Sequence, residues 1–226
     1  RRIMGITKRS FGKSKEGQEV FLYEITNKNQ VTLTVSDFGA AWVHMLVPDR
    51  EGNRRDVVLG YDSAEGYYVN PGHFGAVVGR NGNRIGNARF EINGTEYQLP
   101  VNDNKNNLHS GPDWYRTRVW DVKEINKEKN SVTFGLFSPD GDQGFPGNFS
   151  VTVTYELTEE NEVVLHYQGS ADADTIVNMT NHSYFNLAGE DAGAEAMLNH
   201  VVQIYAPEYT PVLDAEAIPT GEIAPV

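Results

Sequence analysis

The run TNHSYFNLAG, from Thr180 to Gly189, sets His182 among Asn181, Ser183, Tyr184 and Asn186. A single imidazole among so many small hydrogen-bonding groups is either a satisfied structural histidine or a ring kept accessible for chemistry. Two other segments carry polar groups of a matching kind. In GRNGNRIG, directly after the apolar GAVVG, Asn83 and Arg84 offer planar donors and one acceptor to a polyhydroxylated ligand. In NKNNLHSGPDWY, His109 adds a donor beside Trp114 and Tyr115, whose rings could stack on the apolar face of a sugar. Taken singly, each has a plainer reading: Arg84 paired with a surface carboxylate, His109 bonded to nearby backbone, His182 satisfied by Asn181 or Ser183.

The elements that must position these residues read as strands. Val31, Leu33 and Val35 alternate with threonine and serine; Val132, Phe134 and Leu136 repeat the period, as do Phe149, Val151, Val153, Tyr155 and Leu157. Period-two alternation of this kind predicts half-buried antiparallel strands. In ARFEINGTEYQL, Asn93-Gly94 suits a two-residue turn whose central positions both need positive φ. Pairing outward puts Ile92 opposite Thr95, Phe90 opposite Tyr97 and Ala88 opposite Leu99, with Glu91 facing Glu96 on the solvated side. Helix signals are confined to short pieces near Ser63 to Tyr68 and Ala192 to Leu198, neither with a sustained 3.6-residue stripe. With 22 glycines and 10 prolines punctuating the strands, the expected fold is all-β, a large antiparallel sandwich with few short helices, in one domain over residues 1–226.

Composition narrows the partners. Acidic residues outnumber basic ones, 31 against 19, and the net charge of -12 repels phosphate backbones and anionic lipid, so neither nucleic acid nor membrane is expected. The chain has no cysteine, which excludes disulfides, thiolate metal sites and a cysteine nucleophile. Its six histidines, His44, His73, His109, His166, His182 and His200, form no local metal pattern, and no metal site is expected. No glycine-rich phosphate loop leads from a strand into a helix, and no run approaches the roughly 18 apolar residues of a membrane span. The basic amino terminus, RRIMGITKRSFGK, lacks the apolar core of a signal peptide. The expected location is the cytoplasm, although a leader already removed would leave no trace.

Together, GRNGNRIG, NNLHSG and TNHSYFNLAG resemble, in this order, three motifs of the aldose 1-epimerases, also called galactose mutarotases. The similarity extends to FGAAWVHMLVPDREGNRRDVVLGYDSAEGY, FPGNFSVTVTYEL and YTPVLDAEAIPTGEIAPV, so it covers nearly the whole chain. The resemblance implies the mutarotase-like supersandwich and a reaction on free aldohexoses, chiefly galactose and glucose. The pyranose ring opens and closes again on the other face, with no cofactor. One group protonates the ring oxygen as C1–O5 breaks and another takes the proton of the C1 hydroxyl. By the same resemblance His182 is the acid, a role that suits an imidazole whose ordinary pKa is near 6.5. Asn83, Arg84 and His109 would contact the sugar, with Ser183 and Tyr184 lining the pocket. The small polar neighbours of His182 would hold its ring in one orientation.

Two departures stand out. Asn81-Gly82 occupies a place where the family pattern has small apolar residues. The family's glutamate base and a sugar-binding aspartate lie downstream of the IPTGEI-like segment, and this sequence stops at Val226, so neither is assigned and the expectation is a part of a longer enzyme. Two other readings compete: a sugar-binding module that does no chemistry, and an epimerase acting on a hexose 6-phosphate, against which the acidic balance argues. Oligomeric state is not legible.

Overall fold

The computed structural model describes residues 5–210 and 214–226; Pro211, Val212 and Leu213 of the last resembling segment, and the first four residues of the basic amino terminus, lie outside them. Two antiparallel sheets organise the chain. The first has five strands in sequential order: β1 (Gly5–Lys13), β2 (Glu19–Thr26), β3 (Thr32–Ser36), β4 (Trp42–Pro48) and β5 (Arg54–Asp56). A short helix, α1 (Ala64–Val69), then leads to small ribbons built from β6 (Val77–Val78), β7 (Arg84–Ile85), β8 (Arg89–Ile92), β9 (Thr95–Gln98) and β10 (Asn107–Leu108). The second sheet has four strands, β11 (Asp121–Asn126), β12 (Ser131–Ser138), β13 (Phe149–Leu157) and β14 (Val163–Ala171). Beyond it come β15 (Thr180–Asn181), helix α2 (Ala194–Met197), β16 (Glu208–Tyr209) and β17 (Ala224–Pro225).

The apolar faces of the two sheets meet. Tyr23, Leu33, Val35 and Trp42 of the first join Phe134, Val153 and Tyr155 of the second in one buried cluster around Trp120. Rings of Tyr23 and Phe134 meet edge-on at 5.6 Å, and the Tyr155 hydroxyl donates to the Ala40 carbonyl at 2.7 Å, pinning one sheet to the loop between β3 and β4 of the other. Each such buried aromatic or aliphatic side chain contributes about 1.5–3 kcal/mol. The expected all-β sandwich is therefore what forms.

The 88–99 hairpin has the predicted register: Ile92 faces Thr95, Phe90 faces Tyr97, Glu91 faces Glu96, and the Leu99 amide donates to the Ala88 carbonyl. Asn93 and Gly94 both have positive φ, at 53° and 79°. Alternation also holds along β13, where every second residue is buried. It fails along β3, expected half-buried but buried at all five positions. That strand is central in its sheet, and Thr32 on its polar face is capped by the Thr26 hydroxyl and the Arg54 guanidinium.

Candidate functional site

Three of the six histidines converge. The ring centroids of His73, His109 and His182 lie 5.1 Å (His73–His109), 5.1 Å (His109–His182) and 5.5 Å (His73–His182) apart, and all three residues are half-buried. His182 follows β15, which pairs with β6, and its amide donates to the Ala76 carbonyl at 2.8 Å. Asn181 fixes this turn from below. Its Nδ2 donates to the Gly75 carbonyl at 3.0 Å and the Tyr155 hydroxyl at 3.1 Å, while its Oδ1 accepts from the Ser183 amide and hydroxyl. Gly75, at φ 65°, also receives the Trp42 amide, and a Cβ there would strike the Trp42 carbonyl. The site is thus tied to the sandwich core through two adjacent turns.

The sequence expectation that the polar neighbours of His182 hold its ring is not met; Asn181 and Ser183 brace the turn that carries it instead. Among the described residues the ring of His182 makes no hydrogen bond. Other rings flank it instead: His73, His109 and Tyr184, the last at 5.3 Å and half-exposed. Ser183 spends its proton on Asn181, leaving only lone pairs for a ligand.

His109 is held by a reciprocal pair. Its amide donates to the Asn83 carbonyl, and the Asn83 amide donates to His109 Nδ1, both at 2.9 Å. The β7–β10 ribbon brings these segments together, opposing Leu108 to Arg84. Arg84 does have the carboxylate partner of its plainer reading, since its Nε meets Asp103 Oδ2 at 2.6 Å, yet its Nη2 makes no hydrogen bond among the described residues. Asn83 is exposed. The Asn81-Gly82 departure is absorbed locally: the Asn81 amide donates to Ser110 Oγ, which donates back to the Asn81 carbonyl.

Two aromatic expectations separate. Tyr115 is 1% exposed and packs in the core against Trp120, so it cannot stack on a ligand. Trp114 points the other way, edge-on to His73 at 5.6 Å, with the Arg116 guanidinium 4.3 Å over its ring. Sequence reasoning missed His73 and Arg116 as members of the site. The one available signal was the PGHFGAVVG run, a turn placing a histidine shortly before the strand that pairs with β15.

Burial and neighbouring charge depress two of the rings. Burial first, then Arg116, His109 and His182, push the His73 imidazole down to about 4. Burial, His182 and Arg84 push His109 down to about 4 as well. Both are neutral at pH 7. Because His73 Nδ1 and His109 Nδ1 each accept an N–H, both rings carry their proton on Nε2 and serve as donors. Among the described residues no group of three or more histidine or carboxylate side chains is arranged to hold a metal ion, and no carboxylate hydrogen-bonds to the three rings. A concavity of about 660 Å³ on the outer face of the first sheet includes His44 and Asp56 but none of these rings. There His44 Nδ1 meets Asp56 at 2.6 Å while the other Asp56 oxygen caps the Met45 and Val58 amides, a bonding pattern that serves the strand ends.

The sandwich thus presents two neutral imidazole donors and, among the described residues, one unbonded imidazole near Asn83 and Arg84. Comparison with known proteins narrows the class: the sequence model of the family described as Aldose 1-epimerase matches residues 22–226, and the chain belongs to that family. It is 40% identical over 224 residues to a galactose mutarotase of Rattus norvegicus, covering 99% of this chain and 64% of the relative. It is 39% identical over 204 residues to an aldose 1-epimerase of Escherichia coli K12, covering 90% and 57%. Among solved structures, the aldose epimerase homologue from C. elegans superposes with a TM-score of 0.80 at 31% identity, over 90% of this chain and 61% of that one. Galactose 1-epimerase from Lactobacillus acidophilus gives 0.82 at 25% identity, over 99% and 63%. The chain thus spans about three fifths of the length of the proteins it matches. No helix of the described residues is long and apolar enough to cross a membrane.

Proposed function

We propose that the protein carrying this sequence interconverts the α and β anomers of free aldohexoses, galactose and glucose, by acid–base opening and closing of the pyranose ring. The observation that carries this reading is the unbonded ring of His182, set 5.1 Å from a His109 that is fixed as a neutral donor. In the forward step His182 delivers its proton to the ring oxygen O5 as the C1–O5 bond breaks, and the electron pair of that bond stays on O5. The C1 hydroxyl loses its proton to a base, giving the open-chain aldehyde. Rotation about C1–C2 and the reverse transfers close the ring on the other face.

His73 and His109 are unsuited to be the base, since the nitrogen each has free already carries a proton. The family resemblance gives the base as a glutamate downstream of the IPTGEI-like segment, and no carboxylate of the described residues is given that role. Asn83 and Arg84 edge the cluster as contacts for sugar hydroxyls, with Tyr184 as its aromatic wall and Ser183 as an acceptor. The charge of Arg84 is met by Asp103, which suits a neutral sugar over a phosphorylated one.

Polarimetry of freshly dissolved α-D-galactose tests the reading. The protein is expected to speed the approach to anomeric equilibrium above the buffer rate, and His182→Ala to lower turnover by about 100-fold or more, the usual scale for a positioned general acid. A near-normal rate in the variant removes His182 from the role.

A further inference from the structure

His73 and Arg116 lie outside the motifs that the epimerase resemblance covers, yet they complete the cluster. The backbone at His73 is in the left-handed region, φ 53°, inside a turn pinned by the buried Asn70, whose side chain bonds the Phe74 amide and carbonyl. The His73 amide donates to the Asn70 carbonyl and its own carbonyl accepts from Ala76, the residue whose carbonyl receives His182. One short turn therefore fixes the positions of both rings.

Arg116 is 6% exposed and donates from Nε to His73 Nδ1 at 3.1 Å. A guanidinium has no acceptor, so this contact can exist only with Nδ1 unprotonated, and the neutral ring then carries its proton on Nε2. Trp114 holds the guanidinium plane from one side. Among the described residues Arg116 Nη1 and Trp114 Nε1 are both buried without a hydrogen-bond partner, so neither is committed to the surrounding structure. What the arrangement fixes is a tautomer.

We infer that His73 is a third substrate-facing imidazole, held by Arg116 so that its Nε2–H donates to a sugar oxygen bound against His109 and His182. His73 would be a binding and specificity residue, and Arg116 a positioning residue acting through it. The inference rests on the epimerase reading for the identity of the ligand. Its chemistry is that of a hydroxyl-rich neutral ring, met by three imidazoles whose centroids lie 5.1–5.5 Å apart.

Two measurements on the protein carrying this sequence test it. Ring-nitrogen NMR of ¹⁵N-histidine-labelled protein should show His73 and His109 in the Nε2–H tautomer at pH 7, and galactose should shift the Nε2 signals of all three histidines. Arg116→Met should let His73 populate both tautomers while the His109 tautomer stays fixed, a change that a merely structural arginine would not produce. In kinetics, His73→Asn keeps a residue tolerant of the left-handed backbone but is too short to reach the sugar. It should raise KM for galactose by about 3–10-fold, the scale of one hydrogen bond, and lower kcat by less. One monodeoxygalactose should show no such difference between the native chain and the variant. Sugar-induced shifts at His109 and His182 with none at His73 would overturn this proposal alone. No shift at any of the three rings would overturn it together with the epimerase reading.

Discussion

Two buried arginines sit in this molecule under opposite conditions. Arg80 is 0% exposed, and its guanidinium reaches the Ser138 carbonyl and hydroxyl, the Pro139 and Pro146 carbonyls and the Thr175 hydroxyl at 2.8–3.2 Å, between the rings of Phe145 and Phe149. The Ser138 hydroxyl passes on to Asp142, which forms a bidentate pair with Arg118 at 2.7 and 2.9 Å. Arg116 is nearly as buried, yet among the described residues it makes one side-chain bond, to His73, and leaves Nη1 without a partner. A saturated buried cation is architecture, because every donor has been repaid for lost water. An unsaturated one holds a neighbour in a chosen state at some cost to stability.

The comparison can be broken at either end. The largest effect is expected at Arg80: Arg80→Leu strands several buried acceptors and should lower the unfolding free energy by about 3–5 kcal/mol. Urea denaturation reads this directly, and a loss below about 1 kcal/mol would reduce the network to packing. An intermediate effect should appear in the pH dependence. His73 and His109 are depressed from an ordinary 6.5 to about 4, so the unfolded chain binds protons that the folded chain refuses. Their contribution to stability is present above pH 6.5 and is lost as pH falls through that window.

Asp37 runs the other way. Burial pushes its carboxyl up to about 6, so the folded chain binds the extra proton and stability is lost as pH rises from about 4 to 6. In an Asp37→Asn background, replacing His73 and His109 by Asn should flatten the remaining slope between pH 4 and 6.5. The Arg80 region should respond only below that range. Burial raises Asp142, but its bonds to Arg118 and Ser138 outweigh this and hold its carboxyl below the ordinary value. An unchanged slope in the histidine variants would contradict their neutral state. The smallest effect is expected for Arg116→Met, within about 1 kcal/mol of the native chain, since a poorly paired buried cation gives way to an apolar side chain of similar length. A loss as large as that of Arg80→Leu would make Arg116 architectural too.

What could be read in advance depended on the range of the interaction. The Asn93-Gly94 hairpin was legible to the residue because its register follows from two adjacent φ angles and a local alternation. Full burial of β3 was not, because Thr32 is covered by Thr26 and Arg54, which reach it only through strand pairing and across the sheet. Tyr115 and Trp114 are neighbours in sequence with the same aromatic character. Which of them enters the core is decided by whether Trp120 or His73 lies on that side.

By itself the sequence determined the sandwich, through period-two burial and frequent turns, and it marked His182, His109, Asn83 and Arg84 through three motifs. Only the tertiary structure decided that His73 joins them and that Arg116, 43 residues further along, fixes its tautomer. A periodic pattern encodes which face of a strand turns inward, because each residue's burial repeats with its own backbone. The meeting of side chains from separate turns encodes nothing local, and is set only when both turns are anchored to the same folded core.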